Sequence, residues 1–133
     1  MSQIRFRLCL GVLLASAMLS PAQPQQQTAR SEKVKSPGAQ SQPCYKDDCA
    51  DRRLVSVTLP TGATYVATHY FTNAAVDADK ADVYETGPGE VAWGHFSIAT
   101  HAKNAQNQEV VTVYYYNRSN RDRWAQITVD YLP

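Results

Sequence analysis

From Cys49 to the end of the chain, short runs of Val, Thr, Tyr, Ile and Trp alternate with the turn clusters Pro60-Thr61-Gly62, Gly87-Pro88-Gly89 and Arg118-Ser119-Asn120-Arg121-Asp122. β-branched and aromatic residues suit a pleated, half-buried surface, and Gly, Pro, Asn and Asp supply the backbone freedom and local hydrogen bonds of turns. The pattern predicts strands over approximately Arg53 to Leu59, Thr64 to Thr72, Val91 to Thr100, Glu109 to Asn117 and Arg123 to Leu132. Ala74 to Tyr84 holds enough helix formers for one short helix and equally suits a loop with a weak strand. The expected fold class is all-β: a small antiparallel β-sandwich or barrel of five to seven strands, with room for that one short helix.

Period-two alternation gives each strand an inner face: Val55, Val57 and Leu59 on the first, Phe96 and Ile98 on the third. For the last two strands it predicts a hairpin. With Asn117 and Arg123 closing the loop, Val111, Val113 and Tyr115 oppose Val129, Ile127 and Ala125, and the other side gathers Tyr114, Tyr116 and Trp124. A one-residue slip would break both matches, so parity is set by the pattern.

The N-terminus reads as a signal peptide over residues 1–22. Arg5 and Arg7 precede the apolar run Leu8 to Leu19, and Ser20-Pro21-Ala22 offers small residues for cleavage after Ala22, with Ala17 as the second choice. That run is 12 residues long, against about 20 for a bilayer-spanning helix. No later stretch is long and apolar enough to span, so a secreted or periplasmic location is expected. Residues 23–43 are Gln, Pro, Ser, Lys and Ala with Val34 as the single large apolar residue, a composition expected to form a disordered tether. Residues 44–133 are expected to form a single β domain. Cys9 leaves with the signal; Cys44 and Cys49 remain and are expected to form a disulfide closing a short loop.

The formal charge is +1. Without Arg5 and Arg7 the count is 11 basic against 12 acidic residues, and over residues 44–133 it is 8 against 11. Such a domain lacks the positive field that sequence-independent nucleic-acid binding requires, so no nucleic-acid partner is expected.

His69, His95 and His101 are the candidates for a general base or metal ligand. By parity His95 and His101 leave the third strand on the same side, about 20 Å apart at a strand's rise per residue, too far to share one ion. Nucleophile elbows, phosphate-cradling glycine loops and His-Glu-x-x-His are absent from the sequence. The acidic segment Asp77 to Asp82 with Glu85 departs from a calcium loop, with Ala81 at a ligand position and Pro88 where the bidentate Glu belongs. No catalytic residue, metal or cofactor is therefore assigned. Asn117-Arg118-Ser119 is a glycosylation sequon.

The expected ligand-binding residues are Tyr114, Tyr116, Trp124, Arg118, Arg121 and Arg123, because aromatic faces beside guanidinium donors pack sugar rings or a partner's apolar edge and grip anionic groups. The leading expectation is a non-catalytic secreted or periplasmic β module that binds a glycan or protein partner. A small secreted hydrolase using one of the histidines is the second class. An inhibitor, immunity or envelope structural protein acting through Thr86 to Glu90 or Arg118 to Arg123 is the third.

Overall fold

A computed structural model describes residues 25–38, 50–73, 83–91 and 94–133, with Glu90 and Val91 as backbone only. Among the described residues there is no helix, and ten strands form two antiparallel sheets. One sheet contains β1 (Gln27–Arg30), β2 (Val34–Ser36), β4 (Thr64–Thr72), β5 (Tyr84–Thr86) and β10 (Arg123–Leu132). The other contains β3 (Asp51–Thr58), β6 (Gly89–Val91), β7 (Gly94–Phe96), β8 (Thr100–Lys103) and β9 (Glu109–Asn117). In the first, β10 pairs with β4 on one side and with β1 and β2 end to end on the other. In the second, β9 pairs with β3 on one side and with β7 and β8 end to end on the other. The two are named below for their central strands, the β10 sheet and the β9 sheet.

The alternation of side chains explains why these sheets stack. Val55, Val57 and Leu59, then Val111, Val113 and Tyr115, then Ala125, Ile127 and Val129 are all buried, and they join in one apolar cluster with Tyr70, Phe96 and Tyr131. Each fully buried large apolar side chain contributes roughly 1.5 to 3 kcal/mol. Aromatic contacts cross between the layers: Tyr70 of the β10 sheet lies 5.5 Å from Phe96 of the β9 sheet, and Phe96 lies 4.9 Å from Tyr115, centroid to centroid. The all-β sandwich read from the pattern is the architecture observed.

Three expectations are corrected. The first concerns the closing hairpin. β9 and β10 do not pair; they belong to different sheets, and residues 118–122 arch from one layer to the other. Hydrogen-bonded neighbours would set their apolar sides next to each other, still needing a cover, whereas the arch places them face to face. A buried polar knot holds the arch. Asn117 Nδ2 donates to the carbonyls of Ser36, Pro37 and Arg121 at 3.1, 3.2 and 2.9 Å, and its Oδ1 accepts from the N–H and hydroxyl of Ser119. Arg123, also buried, donates from Nε to Ser119 Oγ and from Nη1 to the Asn73 carbonyl. Gly38 fits here because a Cβ at that position would collide with the backbone of Asn120 and Arg121.

The second concerns the tether. Part of the segment expected to be disordered is strand: β1 and β2 pair with the edge of β10, Ala29 and Val34 pack on the core, and Ser31 exchanges backbone and side-chain hydrogen bonds with Ile127. A hydrophilic segment joins a sheet this way because the edge of β10 supplies backbone partners and only alternate residues need apolar contact. The folded unit thus includes residues 25–38.

The third concerns the strand expected over Val91 to Thr100. It is divided among β6, β7 and β8, with β6 and β7 forming a hairpin. Phe96 pairs with Tyr115 and Thr100 with Thr112, so residues 97–99 face only Val113 and Tyr114. That extra residue is a bulge, and it reverses parity. His95 pairs with the outward Tyr116, but His101 pairs with the inward Val111, so the two histidines do not share a side as expected. The signal peptide, the Cys44–Cys49 bridge, the acidic segment 77–82 and all but the last two residues of the candidate helix lie outside the described residues.

Candidate functional site

The outer face of the β9 sheet is built from side chains one step out of phase with the core. Since Val55, Val57, Val113 and Tyr115 point inward, Arg52, Leu54, Tyr114 and Tyr116 point outward. The register aligns them in rows: Arg52, Tyr116 and His95 lie side by side across β3, β9 and β7, and Leu54 lies beside Tyr114. Gly94 lets β7 approach β9 here, because a Cβ would run into the Tyr116 carbonyl oxygen.

Within this face the rings and cations are mutually arranged. His95 and Tyr116 stack at 4.4 Å with planes 9° apart. Arg118 Nη2 donates to His95 Nδ1 at 3.1 Å, which places the proton of the neutral imidazole on Nε2. The Arg52 guanidinium lies 4.9 Å from the Tyr114 ring centroid, a cation–π contact. Position 90 on β6 is Glu, in register with His95. Next to these ordered groups large apolar surface remains open: Leu54 is 52% exposed, Tyr114 37%, and Ile98, in the bulge beside Tyr114, 76%. These are three of the five exposed large hydrophobic residues among those described: Leu54 and Tyr114 lie in the β9 sheet and Ile98 in the connection between β7 and β8, while the other two, Val66 and Tyr84, belong to β4 and β5. Open aromatic and aliphatic surface framed by arginine is the make-up of recognition surfaces.

The six residues expected to bind ligand are separated by the arch. Tyr114, Tyr116 and Arg118 are together on this face. Trp124 is on the outer side of the β10 sheet, with Lys33 Nζ 5.5 Å from its ring centroid. Arg123 is buried in the knot, and Arg121 is exposed in the arch. Arg52, Leu54 and His95 complete the face and were not anticipated. The outward direction of Leu54 followed from parity on β3, but the neighbours of all three did not, because alternation specifies a side and not a pairing partner.

The histidines do not converge. His69 lies on the outer side of the β10 sheet, with Nδ1 2.5 Å from Glu85 Oε1 and Nε2 2.7 Å from Asp130 Oδ2. Its pKa is raised by the hydrogen bonds to Asp130 and then Glu85, while those from Thr28 and His69 lower that of Asp130. His101 Nδ1 is 2.6 Å from Glu109 Oε1, and its ring meets Tyr65 edge-on at 4.0 Å. Among the described residues, no group of three His, Cys, Asp or Glu side chains is placed to hold a metal ion. The sequon is also spoken for: Asn117 is fully buried with its amide donated three times, so the folded chain cannot present it for glycosylation. Comparison with protein-family models, curated proteins and solved structures finds no match to this chain.

Proposed function

We propose that the protein is an exported, non-catalytic β module that binds a glycan or a protein partner through the outer face of the β9 sheet. The observation that carries this reading is the clustering of exposed Leu54 and Tyr114 with Tyr116, Arg52 and Arg118 on one face, next to the exposed Ile98 of the β7–β8 connection. The rings of Tyr116 and Tyr114 each have one side covered, by His95 and Arg52, so both are ordered before a ligand arrives and lose little conformational entropy on contact. Tyrosine hydroxyls and guanidinium donors suit sugar hydroxyls or carboxylates, and the aliphatic neighbours suit a protein's apolar edge. Export rests on the basic and apolar N-terminus and its small-residue cleavage site.

The mature protein, screened on a glycan array and in pull-downs from its native source, yields the ligand to be tested. Replacing Leu54 and Tyr114 by Ala together is expected to weaken binding of that ligand more than about tenfold while the fold survives. Equal binding by the folded double variant would remove the proposed surface.

A further inference from the structure

Four strands of the β10 sheet are tied across their outer side by one line of polar contacts. Thr28 Oγ1 of β1 donates to Asp130 Oδ1 of β10 at 2.8 Å; Asp130 Oδ2 meets Nε2 of His69 on β4; and His69 Nδ1 meets Glu85 of β5. Both ring nitrogens of His69 face carboxylates, which only accept hydrogen bonds. An imidazolium has two N–H donors and satisfies both; a neutral imidazole has one and turns a lone pair toward the other carboxylate.

The geometry points to His69 as a proton-operated clamp: charged, it holds β5 and, through Asp130, β1 to the central β4–β10 pair; neutral, it releases β5. Glu85 is the partner released because its side chain is 56% exposed against 15% for Asp130, which also keeps its bond from Thr28. Among the described residues β5 has little else to hold it, with three residues paired to β4 and no second neighbour in its sheet. Among the described residues the charged groups facing His69 are Asp130 from β10 and Glu85 from β5. β1 places Arg30 opposite Thr128, and the flanking outward residues of β4, Ala67 and Phe71, carry no charge.

The test is amide hydrogen exchange of residues 84–86 in the mature protein between pH 5 and pH 9, with rates normalised for intrinsic chemistry. Protection of β5 in the unaltered chain is expected to fall about threefold to fivefold as pH rises, the size set by a partly exposed ion pair. His69→Gln is expected to abolish that dependence and His101→Gln to preserve it. Protection independent of pH in the unaltered chain, or an undiminished dependence in His69→Gln, overturns the clamp. Should His69→Gln fail to fold, Glu85→Gln decides: a reduced dependence supports the clamp and an unchanged one overturns it.

Discussion

On the outer side of the β10 sheet polar groups find one another: Thr28, Asp130, His69 and Glu85 form one chain of contacts, Lys35 Nζ sits 3.3 Å from Asp122 Oδ2, and Lys33 covers Trp124. On the outer side of the β9 sheet, Tyr114 and Leu54 stay open, as does Ile98 in the β7–β8 connection, while Arg52 and His95 order the rings beside them. Both faces derive from the same alternation of strand residues. One carries a chain of paired charges, and the other leaves apolar side chains open beside arginine and stacked rings. The comparison teaches that candidate binding residues are those whose interactions order them without covering them.

The largest effect is expected where the two faces are kept apart. Asn117→Ala leaves the Ser36, Pro37 and Arg121 carbonyls and the Ser119 N–H without their buried partner. About 3 kcal/mol of stability is expected to be lost, measured by urea denaturation. A loss below about 1 kcal/mol would mean that the knot does not hold the arch.

Next comes the open face. Tyr114→Ala is expected to change stability by less than about 1 kcal/mol, since only an exposed cation–π contact and partial burial are lost, yet to reduce ligand affinity about tenfold or more. Titration calorimetry beside thermal melting separates the two effects. A variant that melts much earlier but binds normally would assign Tyr114 to the fold.

The satisfied face is expected to respond to pH. Because the pKa of His69 is raised in the folded state, its contribution is complete below the ordinary value of about 6.5 and is lost as pH rises through the raised one. The lowered pKa of Asp130 gives the opposite limb, complete above the ordinary carboxylate value and lost as pH falls through the lowered one. Solvent screening keeps the His69 contribution below about 1 kcal/mol. Melting temperature followed from pH 5 to pH 9 should fall more in the unaltered chain than in His69→Gln. Identical slopes would contradict the assignment.

The smallest effect is expected at Trp124, where Trp124→Ala should leave affinity for the same ligand unchanged, because this ring belongs to the other face. A loss of binding would return the aromatic site to the arrangement the sequence suggested.

How far the sequence could be read follows from what alternation encodes. Val55, Val57, Val111, Val113, Ile127 and Val129 announce their inward direction through period two, and all are buried. Strand neighbours are another matter: β9 and β10 have apolar sides equally compatible with pairing and with stacking. The choice rests on Asn117, which reaches the carbonyl of Ser36 81 residues earlier in the chain, beyond any local pattern. β1 and β2 were hidden because an edge strand can be recruited through its backbone, with only Ala29 and Val34 contributing apolar contact. Of the proposed face, Tyr114, Tyr116 and Arg118 were legible from their nearness in sequence. His95 was obscured by the bulge at residues 97–99, and Arg52 and Leu54 by the unknown partner of β3.

Hydroxyl-radical footprinting of the protein, with and without a ligand found by the array or pull-down, bears most directly on the division between the two faces. Protection is expected at Leu54, Tyr114 and Tyr116, with Trp124 reacting equally in both samples. Protection of Trp124 with Leu54 and Tyr114 unchanged would contradict the account.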